Sequence, residues 1–367
     1  MKKVLIVACD GFSKSGVPNV FVNIIREMSK QGYSFDVLYF DENMPYYKSE
    51  LQNLGCKLIY SDFYKRKNKI GKLIAKYRAT KMFSKIIKEN GPYDCVDSFK
   101  DFESGYVMKA AHKCNIKNRI AHLGFIYKES NNVIIRHFEN KERKLIEKHS
   151  SFIVCDSSKT KLNIPWSNKT VVVKPFYDRF FKFCEYEGND DCVSLVQIGS
   201  YSYNKNQLFS LEILEEIVKE YPKSILHFVG FANSQDPLYF NKVKKTIEDH
   251  GLSNNVVLHP FDEDTVNLFK QCSYLLFPSI KESFGIVPVE AQASGLTCLC
   301  SDTVTTENNA GGCYYLPLNN KDLWVQTILE DFKKNKGEHR HFDLLPFSSS
   351  EIIKKYQALY QGDIKTN

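Results

Sequence analysis

Short apolar runs alternate with segments of helical periodicity along the whole chain. The runs of the first half are KVLIVAC, SFDVLYF, CKLIYS, YDCVDSF, NRIAHL and SFIVCDS, and those of the second half are VSLVQIGS, SILHFVG, NVVLHP, SYLLFPS and LTCLCSD. Between the first two runs, VPNVFVNIIREMSKQG has helical periodicity, with Pro18 suited to a first turn and Gly32 to a C-cap. Alternation of this kind predicts parallel β-sheets covered by helices on both faces.

The 367 residues are enough for two ordinary domains. The alternation loosens at residues 178–191, which are polar and acidic at their end, so we place an interdomain linker there. The sequence predicts an N-terminal Rossmann-like domain over residues 1–180 and a C-terminal Rossmann-like domain over residues 192–345. Residues 346–367 contain a helical segment that could pack on either domain, and we expect it to pack back on the N-terminal one.

Composition narrows the class of protein. Apolar residues make up 43% and charged residues 25% of the chain, as in ordinary soluble proteins, so extensive disorder is not expected. The eleven cysteines form neither a C-x-x-C motif nor a zinc knuckle, and they predict reduced thiols in a cytoplasmic protein. The apolar run near the N-terminus, residues 4–8, is too short for the apolar region of a signal peptide, which takes about 7 to 15 residues, and predicts a first buried strand.

The net charge of +7 is unevenly spread. Residues 63–88 contain ten lysines or arginines and no acidic residue. Within them Ile70, Leu73, Ile74 and Tyr77 recur at helical spacing, which is typical of a basic amphipathic helix. Such a helix could lie on an anionic membrane surface, or it could present a solvated face above a core-facing stripe. Nucleic acid is not an expected partner, because no recognised binding motif accompanies the charge.

Three loops after predicted strands carry residues suited to binding an anion or a hydroxyl group. Gly16, in DGFSKSGVPN, permits close approach of a ligand to the backbone, although the loop is not the G-x-G-x-x-G of nicotinamide and flavin sites. Lys205, in IGSYSYNKNQ, could reach a phosphate at the sheet edge. His122 ends the run NRIAHL and could donate to a hydroxyl group or an oxyanion. A plain turn, a solvated lysine and a buried histidine are the alternatives.

The stretch PSIKESFGIVPVEAQASG contains two glutamates separated by helix-breaking residues. Pro288 fits the first turn of a helix, so we predict a helix that starts near Pro288 and ends at Gly295. Glu282 then lies on the preceding loop and Glu290 in the first helical turn. The helix N-terminus and the N–H of Gly285 would attract a phosphate, and the carboxylates would accept from hydroxyl groups. Phosphate and hydroxyls together describe a nucleotide sugar; a solvated Glu282 with a dipole-complementing Glu290 is the alternative.

These motifs resemble those of the family-4 retaining glycosyltransferases of the GT-B fold. Their E-x7-E segment reads PSIKESFGIVPVEAQASGLTCLCSD here, and ILHFVGFAN, NNVVLHPFDEDTVNLFKQCSYLLFPS and IGSYSYNKNQ match further landmarks. The loop with Gly16, then YDCVDSFKDFESGY and RIAHLGF, match in order in the first half. The resemblance covers nearly the whole chain, with the specific motifs in residues 195–310. It implies two doubly wound α/β domains facing a central cleft, in an enzyme of the capsule or O-antigen type. The N-terminal domain would lie on the acceptor side, and the C-terminal domain would bind the nucleotide-sugar donor.

The resemblance also implies roles for individual residues. Lys205 would hold the donor diphosphate, Glu282 would bind hydroxyls of the transferred sugar, and Glu290 would bind the ribose. His122 would contact the donor sugar and line the acceptor side, so His122 and Glu282 are the candidate catalytic residues. The predicted donor-binding residues are Gly16, Gly199, Lys205, Glu282, Phe284, Gly285, Ile286 and Glu290.

The implied reaction is transfer with retention, without a metal or other cofactor, the leaving phosphate being neutralised by Lys205 and helix amides. No nucleophilic carboxylate is evident, so we hypothesise a front-face reaction in which the departing phosphate helps deprotonate the acceptor. A UDP-sugar donor and a lipid-linked glycan acceptor at the inner face of the cytoplasmic membrane are expected. The chain departs from the family pattern at Ser200, where many members have an arginine, and at Ser15, where a second glycine is common.

Two rival functions fit the same scaffold. A nucleotide-sugar epimerase would release an altered sugar nucleotide without any acceptor. A non-catalytic sugar-nucleotide-binding protein would have lost donor-binding residues, yet the sequence keeps Lys205, Glu282, Gly285 and Glu290.

Overall fold

A computed structural model describes residues 2–9, 16–41, 47–64, 69–124, 131–232, 237–261 and 263–364. The chain folds into two units, Met1–Phe176 with Ser349–Asn367, and Tyr177–Ser348.

The first unit is built on a parallel sheet of seven strands in its described residues. Their order across the sheet is β3-β2-β1-β4-β5-β6-β7, so the chain reverses its direction of progress between β1 and β4. The short edge strand β7 was not predicted from the sequence. The strands are β1 (Lys2–Val7), β2 (Tyr33–Tyr39), β3 (Lys57–Tyr60), β4 (Cys95–Ser98), β5 (Asn118–His122), β6 (Phe152–Cys155) and β7 (Thr170–Val172).

Helices cover both faces of this sheet, because successive residues of a strand point to opposite sides. Val4 and Ile6 of β1 pack into one apolar cluster, and Leu5 and Val7 pack into another on the opposite face. The helices are α1 (Gly16–Ser29), α2 (Lys48–Asn53), α3 (Lys69–Asn90), α4 (Ser104–Lys113), α5 (Val133–His149) and α6 (Ser158–Leu162).

The second unit repeats the plan with six parallel strands in its described residues. The strand order is β10-β9-β8-β11-β12-β13, and the edge strand β13 was again not predicted. The prediction of two doubly wound parallel-sheet domains is confirmed. The strands are β8 (Ser194–Ile198), β9 (Ile225–Val229), β10 (Val256–His259), β11 (Tyr274–Phe277), β12 (Thr297–Ser301) and β13 (Cys313–Leu316), and the helices are α7 (Gln207–Glu220), α8 (Pro237–Asp249), α9 (Thr265–Lys270), α10 (Val287–Ser294) and α11 (Lys321–Asn335).

The last helix, α12 (Ser349–Gln361), belongs to the first unit although it follows the second unit in the chain. Its buried face packs into the same apolar cluster as Val4 and Ile6 of β1. Tyr360 lies against both Tyr33 and Phe35 of β2, with ring centroids 5.8 and 6.3 Å apart. The C-terminus thus completes the core of the N-terminal unit.

Helix α3 contains most of the basic segment, and its apolar face differs from the predicted one. Ala79, Phe83 and Ile87 pack into the core of the first unit. Tyr77 lies about 200° around the helix from Ala79, and it is 66% exposed rather than core-facing. The backbone of residues 65–68 and the side chains of residues 64 and 69–74 lie outside the described part, including those of Ile70, Leu73 and Ile74.

All eleven cysteines are free thiols. No helix in the described part of the chain is both long and apolar enough to cross a membrane.

The packing of α12 generates a stability prediction. Leu359 is fully buried in the first unit, so Leu359→Ala should destabilise that unit by about 2 to 5 kcal/mol through lost contacts and a residual cavity. Hydrogen exchange measured by mass spectrometry should show lower protection in β1 and β4, while β8 and β11 keep theirs. Lys355→Ala, at an exposed position of the same helix, is the control. Equal losses of protection in both units would contradict the assignment of α12 to the first unit.

Candidate active site

Two loops of the second unit meet where its strand order reverses. β8 and β11 are neighbours in the sheet, whereas β9, which follows β8 in the chain, lies on the other side of β8. The loop after β8 carries Lys205, and the loop after β11 carries Glu282. Ligands of open α/β sheets bind at such switch points, outside the carboxyl ends of the strands. The topology therefore brings both candidate residues to the expected ligand position.

Lys205 and Glu282 form an ion pair across these two loops. Lys205 Nζ donates to Glu282 Oε1 over 2.5 Å, and the two side chains are 23% and 16% exposed. The same ammonium lies 5.3 Å from the centroid of the Phe277 ring. An ammonium has three N–H donors and a carboxylate has two acceptor oxygens, so each partner keeps capacity for a ligand. A phosphate entering this site would meet a cation already held in place.

Hydrogen bonds join these two loops to each other and to the loop after β12. Asn204 Nδ2 donates to the carbonyl of Lys281 over 2.9 Å, and the N–H of Ile280 donates to the carbonyl of Asn204 over 2.8 Å. From the loop after β12, Thr303 Oγ1 donates to the carbonyl of Ile280 over 2.8 Å. Sequence reasoning missed Asn204 and Thr303, because their roles depend on which loops become neighbours.

The position of Lys205 depends on the buried side chain of Gln197 and on Gly199. Gln197 Nε2 donates to the carbonyl of Lys205 over 2.6 Å, and Ser210 Oγ donates to Gln197 Oε1 over 2.8 Å. Gly199 has φ +153°, and a Cβ there would lie 3.3 Å from Lys205 Cε. Gly199 therefore leaves room for the lysine side chain to cross its backbone.

Gly285 forms a tight corner before α10. Its φ is +76°, and a Cβ at this position would lie 2.9 Å from the Phe277 ring. Asn308 Nδ2 donates to the carbonyls of Phe284 and Gly285 over 2.9 and 3.2 Å, and Tyr315 Oη donates to Asn308 Oδ1 over 2.6 Å. This network fixes the peptide planes of the corner.

Helix α10 starts at Val287, with Pro288 in its first turn and Gly295 at its C-cap, as predicted. Glu290 is half-buried in the first turn. Among the described residues, the N–H groups of Gly285 and Ile286 have no protein acceptor. Such N–H groups and the positive end of the helix dipole favour an anion.

Phe284 contributes to the core rather than to an open surface. Its ring is buried against Val289, Ala310 and Phe347. The sequence prediction counted Phe284 among the donor-binding residues. Because its ring is buried, only its backbone could contact a donor.

His122 lies in the first unit, at the carboxyl end of β5. Its Nε2 lies 2.8 Å from Oδ1 of Asp97, and its ring stacks on Phe99 with centroids 3.8 Å apart. Asp97 is fully buried in β4, and its other oxygen accepts from Tyr360 Oη over 2.9 Å. Sequence reasoning identified His122 and missed both polar partners.

Gly16 is the exposed first residue of α1. A Cβ at Gly16 would meet no atom within 4 Å, so packing in the described residues does not require a glycine here. The rest of the predicted loop, including Ser15, lies outside the described residues.

Comparisons with known proteins agree with this architecture. Residues 181–308 match the family model Glycosyl transferases group 1. CapH of Staphylococcus aureus, a capsular polysaccharide biosynthesis glycosyltransferase, is 27% identical over 315 residues, covering 83% of this chain and 82% of that protein. The N,N'-diacetylbacillosaminyl-diphospho-undecaprenol alpha-1,3-N-acetylgalactosaminyltransferase of Campylobacter jejuni is 24% identical over 367 residues, covering 93% and 86%. The structure of Anabaena HepE in complex with UDP and glucose has a TM-score of 0.73 at 14% identity, covering 99% of this chain and 97% of that chain.

The two Rossmann-like units and these structural neighbours define the GT-B fold, as predicted. The part that matches the group 1 glycosyltransferase model, residues 181–308, contains both the Lys205 loop and the Glu282–Glu290 segment. The chain is a glycosyltransferase, which confirms the predicted class of enzyme.

The corner at Gly285 generates a prediction for ligand binding. Gly285→Ala should weaken UDP binding about tenfold or more, because its left-handed φ costs an alanine roughly 1 to 2 kcal/mol and the added methyl group would displace the loop from Phe277. Isothermal titration with UDP measures the effect. Gly251→Ala is the matched control, because Gly251 has φ +68° and open space around it. Equal losses of UDP affinity in the two variants would contradict a specific role of the corner.

Proposed function

We propose that this glycosyltransferase transfers a sugar, with retention, from a UDP-sugar to a glycan acceptor in surface polysaccharide biosynthesis. The proposal rests on one observation: the Lys205–Glu282 ion pair lies at the switch point of the second unit, on the loop that leads to the N–H groups of Gly285 and Ile286. The names of CapH and of the UDP-bound HepE structure support this class of donor and pathway.

Donor binding would exchange partners at Lys205. The diphosphate takes the ammonium from Glu282 and also accepts from the N–H groups of Gly285 and Ile286. Glu282, released from Lys205, accepts from hydroxyls of the transferred sugar, while Glu290 accepts from the ribose. The gain over the empty site comes from two stronger sets of charge-assisted hydrogen bonds replacing one ion pair.

In the proposed reaction, charge develops on the leaving diphosphate, and the donors gathered around it stabilise that charge. Lys205 and the α10 amides fill this role without a metal, so activity should persist in EDTA. His122 contacts the transferred sugar, and Gly16 approaches the diphosphate. The departing phosphate accepts the proton of the attacking acceptor hydroxyl on the same face, which gives retention without a covalent intermediate. A glycosyl-enzyme adduct seen by intact mass would overturn this mechanism.

We further propose a lipid-linked acceptor, met at the cytoplasmic face of a membrane. The name of the C. jejuni relative includes an undecaprenol-linked diphosphate, which supports this class of acceptor. In the first unit, α5 begins with three exposed apolar side chains, Val133, Ile134 and Ile135.

The middle of α5 contacts the basic helix α3. Lys76 of α3 pairs with Glu142 over 2.8 Å, and Lys141 lies 4.7 Å from the centroid of the exposed Tyr77 ring. Tyr77 also meets Phe138 edge-on at 6.0 Å. The exposed apolar side chains at the start of α5 and the ten cations of residues 63–88 together suit an anionic lipid surface, which would attract the charge and accept the apolar groups.

The division of roles between the two glutamates is testable by thermal shift with UDP and UDP-sugars in EDTA. A ligand at 100 times its Kd stabilises the protein by about 2.7 kcal/mol. Glu290→Ala should weaken UDP and UDP-sugar alike, about 10- to 100-fold, by removing charged hydrogen bonds to the ribose. Glu282→Ala should weaken the UDP-sugar while leaving UDP binding equal or tighter, because Lys205 loses its competing carboxylate.

Lys245→Met, at an exposed position of α8, is the control for Lys205→Met, which should weaken both ligands. A Glu282→Ala variant that loses UDP and UDP-sugar affinity equally would refute the assigned roles. Conversion of a UDP-sugar into a different sugar nucleotide without acceptor, seen by NMR, would instead indicate an epimerase.

Membrane binding is testable by sedimentation with phosphatidylglycerol and phosphatidylcholine vesicles. The wild type should sediment with phosphatidylglycerol vesicles, and less so as salt screens the charge. The double variant Ile134→Ser, Ile135→Ser should lose most of this binding. Leu162→Ser removes an equally exposed apolar side chain elsewhere in the first unit and should bind as the wild type does. No preference for the anionic vesicles would refute the proposal.

A further inference from the structure

Asp97 links His122 to the C-terminal helix. Oδ1 of Asp97 lies 2.8 Å from Nε2 of His122, and Oδ2 accepts from Tyr360 Oη over 2.9 Å. The three residues come from β4, the end of β5 and α12, so 263 positions separate Asp97 from Tyr360. One carboxylate therefore connects the candidate catalytic histidine to the end of the chain.

The environment of Asp97 makes its two contacts important. Its side chain is completely buried, and in the described part of the chain no lysine or arginine lies within 4.0 Å of it. In the same part, neither Asp97 Oδ1 nor His122 Nε2 makes a hydrogen bond of standard angle, so their 2.8 Å contact is a close approach of the two groups. A buried carboxylate needs donors to offset its loss of water. Two acceptor atoms without a proton would repel each other at this distance, so the contact favours a proton on Nε2, the partner that can donate to an ionised carboxylate.

Two aromatic rings lie nearly parallel to the His122 imidazole. Phe99 stacks on one face, with centroids 3.8 Å apart and 17° between the planes. Tyr356 of α12 lies nearly parallel at 6.1 Å and 11°. Turning the ring would break the stack on Phe99, and no residue in the described part of the chain hydrogen-bonds to Nδ1.

Tyr360 keeps its proton throughout the ordinary pH range. Burial, and then the charge of Asp97, raise the pKa of the Tyr360 hydroxyl well above its usual value. The hydroxyl therefore remains a donor to Asp97, which directs the other carboxylate oxygen to Nε2.

We propose that Asp97 and Tyr360 are positioning residues for His122, holding the imidazole in the tautomer with its proton on Nε2 and its acceptor lone pair on Nδ1. Nδ1 then accepts a hydrogen bond from a hydroxyl group of the sugar substrate. The C-terminal helix is in this way part of the reaction machinery of the first unit. The substrate contact rests on the proposed function, whereas the tautomer is a property of the protein alone.

The tautomer is measured directly by long-range nitrogen–proton NMR on protein labelled with 15N-histidine, with the His122 signal assigned from His122→Gln. The wild type should show a proton on Nε2 and none on Nδ1. Asp97→Asn should change this pattern, because its amide can donate to a deprotonated Nε2. A wild-type proton on Nδ1, or an unchanged pattern in Asp97→Asn, would overturn the proposal.

Kinetics give the second measurement. Tyr360→Phe should lower kcat about tenfold, the equivalent of one hydrogen bond, with a smaller change in the KM for UDP-sugar, and Asp97→Asn should lower kcat further. Tyr33→Phe is the matched control. Tyr33 packs against Tyr360, and its hydroxyl, which this variant removes, accepts from Gln361 and does not touch Asp97. Equal kinetics of Tyr360→Phe and Tyr33→Phe would reduce Tyr360 to a packing role and overturn its part in the proposal.

The two proposals can fail separately. If no UDP-sugar is a substrate while Asp97→Asn alters the His122 tautomer, the proposed function fails and the positioning by Asp97 stands. If UDP-sugars are substrates and the tautomer is insensitive to Asp97, the positioning fails alone.

Discussion

Every strand pair described in the two sheets is parallel, and this constraint decides where chemistry can occur. In a parallel sheet, the loops that follow the strands all begin at the same edge of the sheet. In the second unit, the reversal of strand order between β8 and β11 leaves neighbouring loops free to diverge around a ligand. Lys205 and Glu282 occupy those two loops, and their ion pair holds a cation ready before any ligand arrives. The same rule puts His122 at the carboxyl end of β5 in the first unit.

The period of apolar residues was sufficient to predict the fold and most of its strands. β7 and β13 were missed because they are three- and four-residue edge strands that are only partly buried. The sequence was sufficient to predict that Glu282 lies on a loop and Glu290 on a helix, because Gly285 and Pro288 impose local backbone geometry. The ends of α10 accordingly agree with prediction.

Contacts between distant parts of the chain could not be read in the same way. No local pattern connects Asp97 with Tyr360, or Thr303 with the loop after β11, because these pairs form only when the strands take their order. Phe284 lies between Glu282 and Gly285 in the predicted donor-binding motif, yet its ring belongs to the core. Tyr77 shares helical spacing with apolar residues, yet tertiary packing buries the opposite side of α3. Helical period identifies a face and does not say what covers it.

The central claim is that a nucleotide diphosphate binds at the switch point of the second unit by replacing Glu282 as the partner of Lys205. A crystal structure with a bound UDP-sugar tests this most directly. We expect a phosphate oxygen within hydrogen-bond distance of Lys205 Nζ and of the Gly285 or Ile286 N–H, with Glu282 turned to the sugar hydroxyls. A nucleotide bound elsewhere, or one bound here with the Lys205–Glu282 pair intact, would contradict the account.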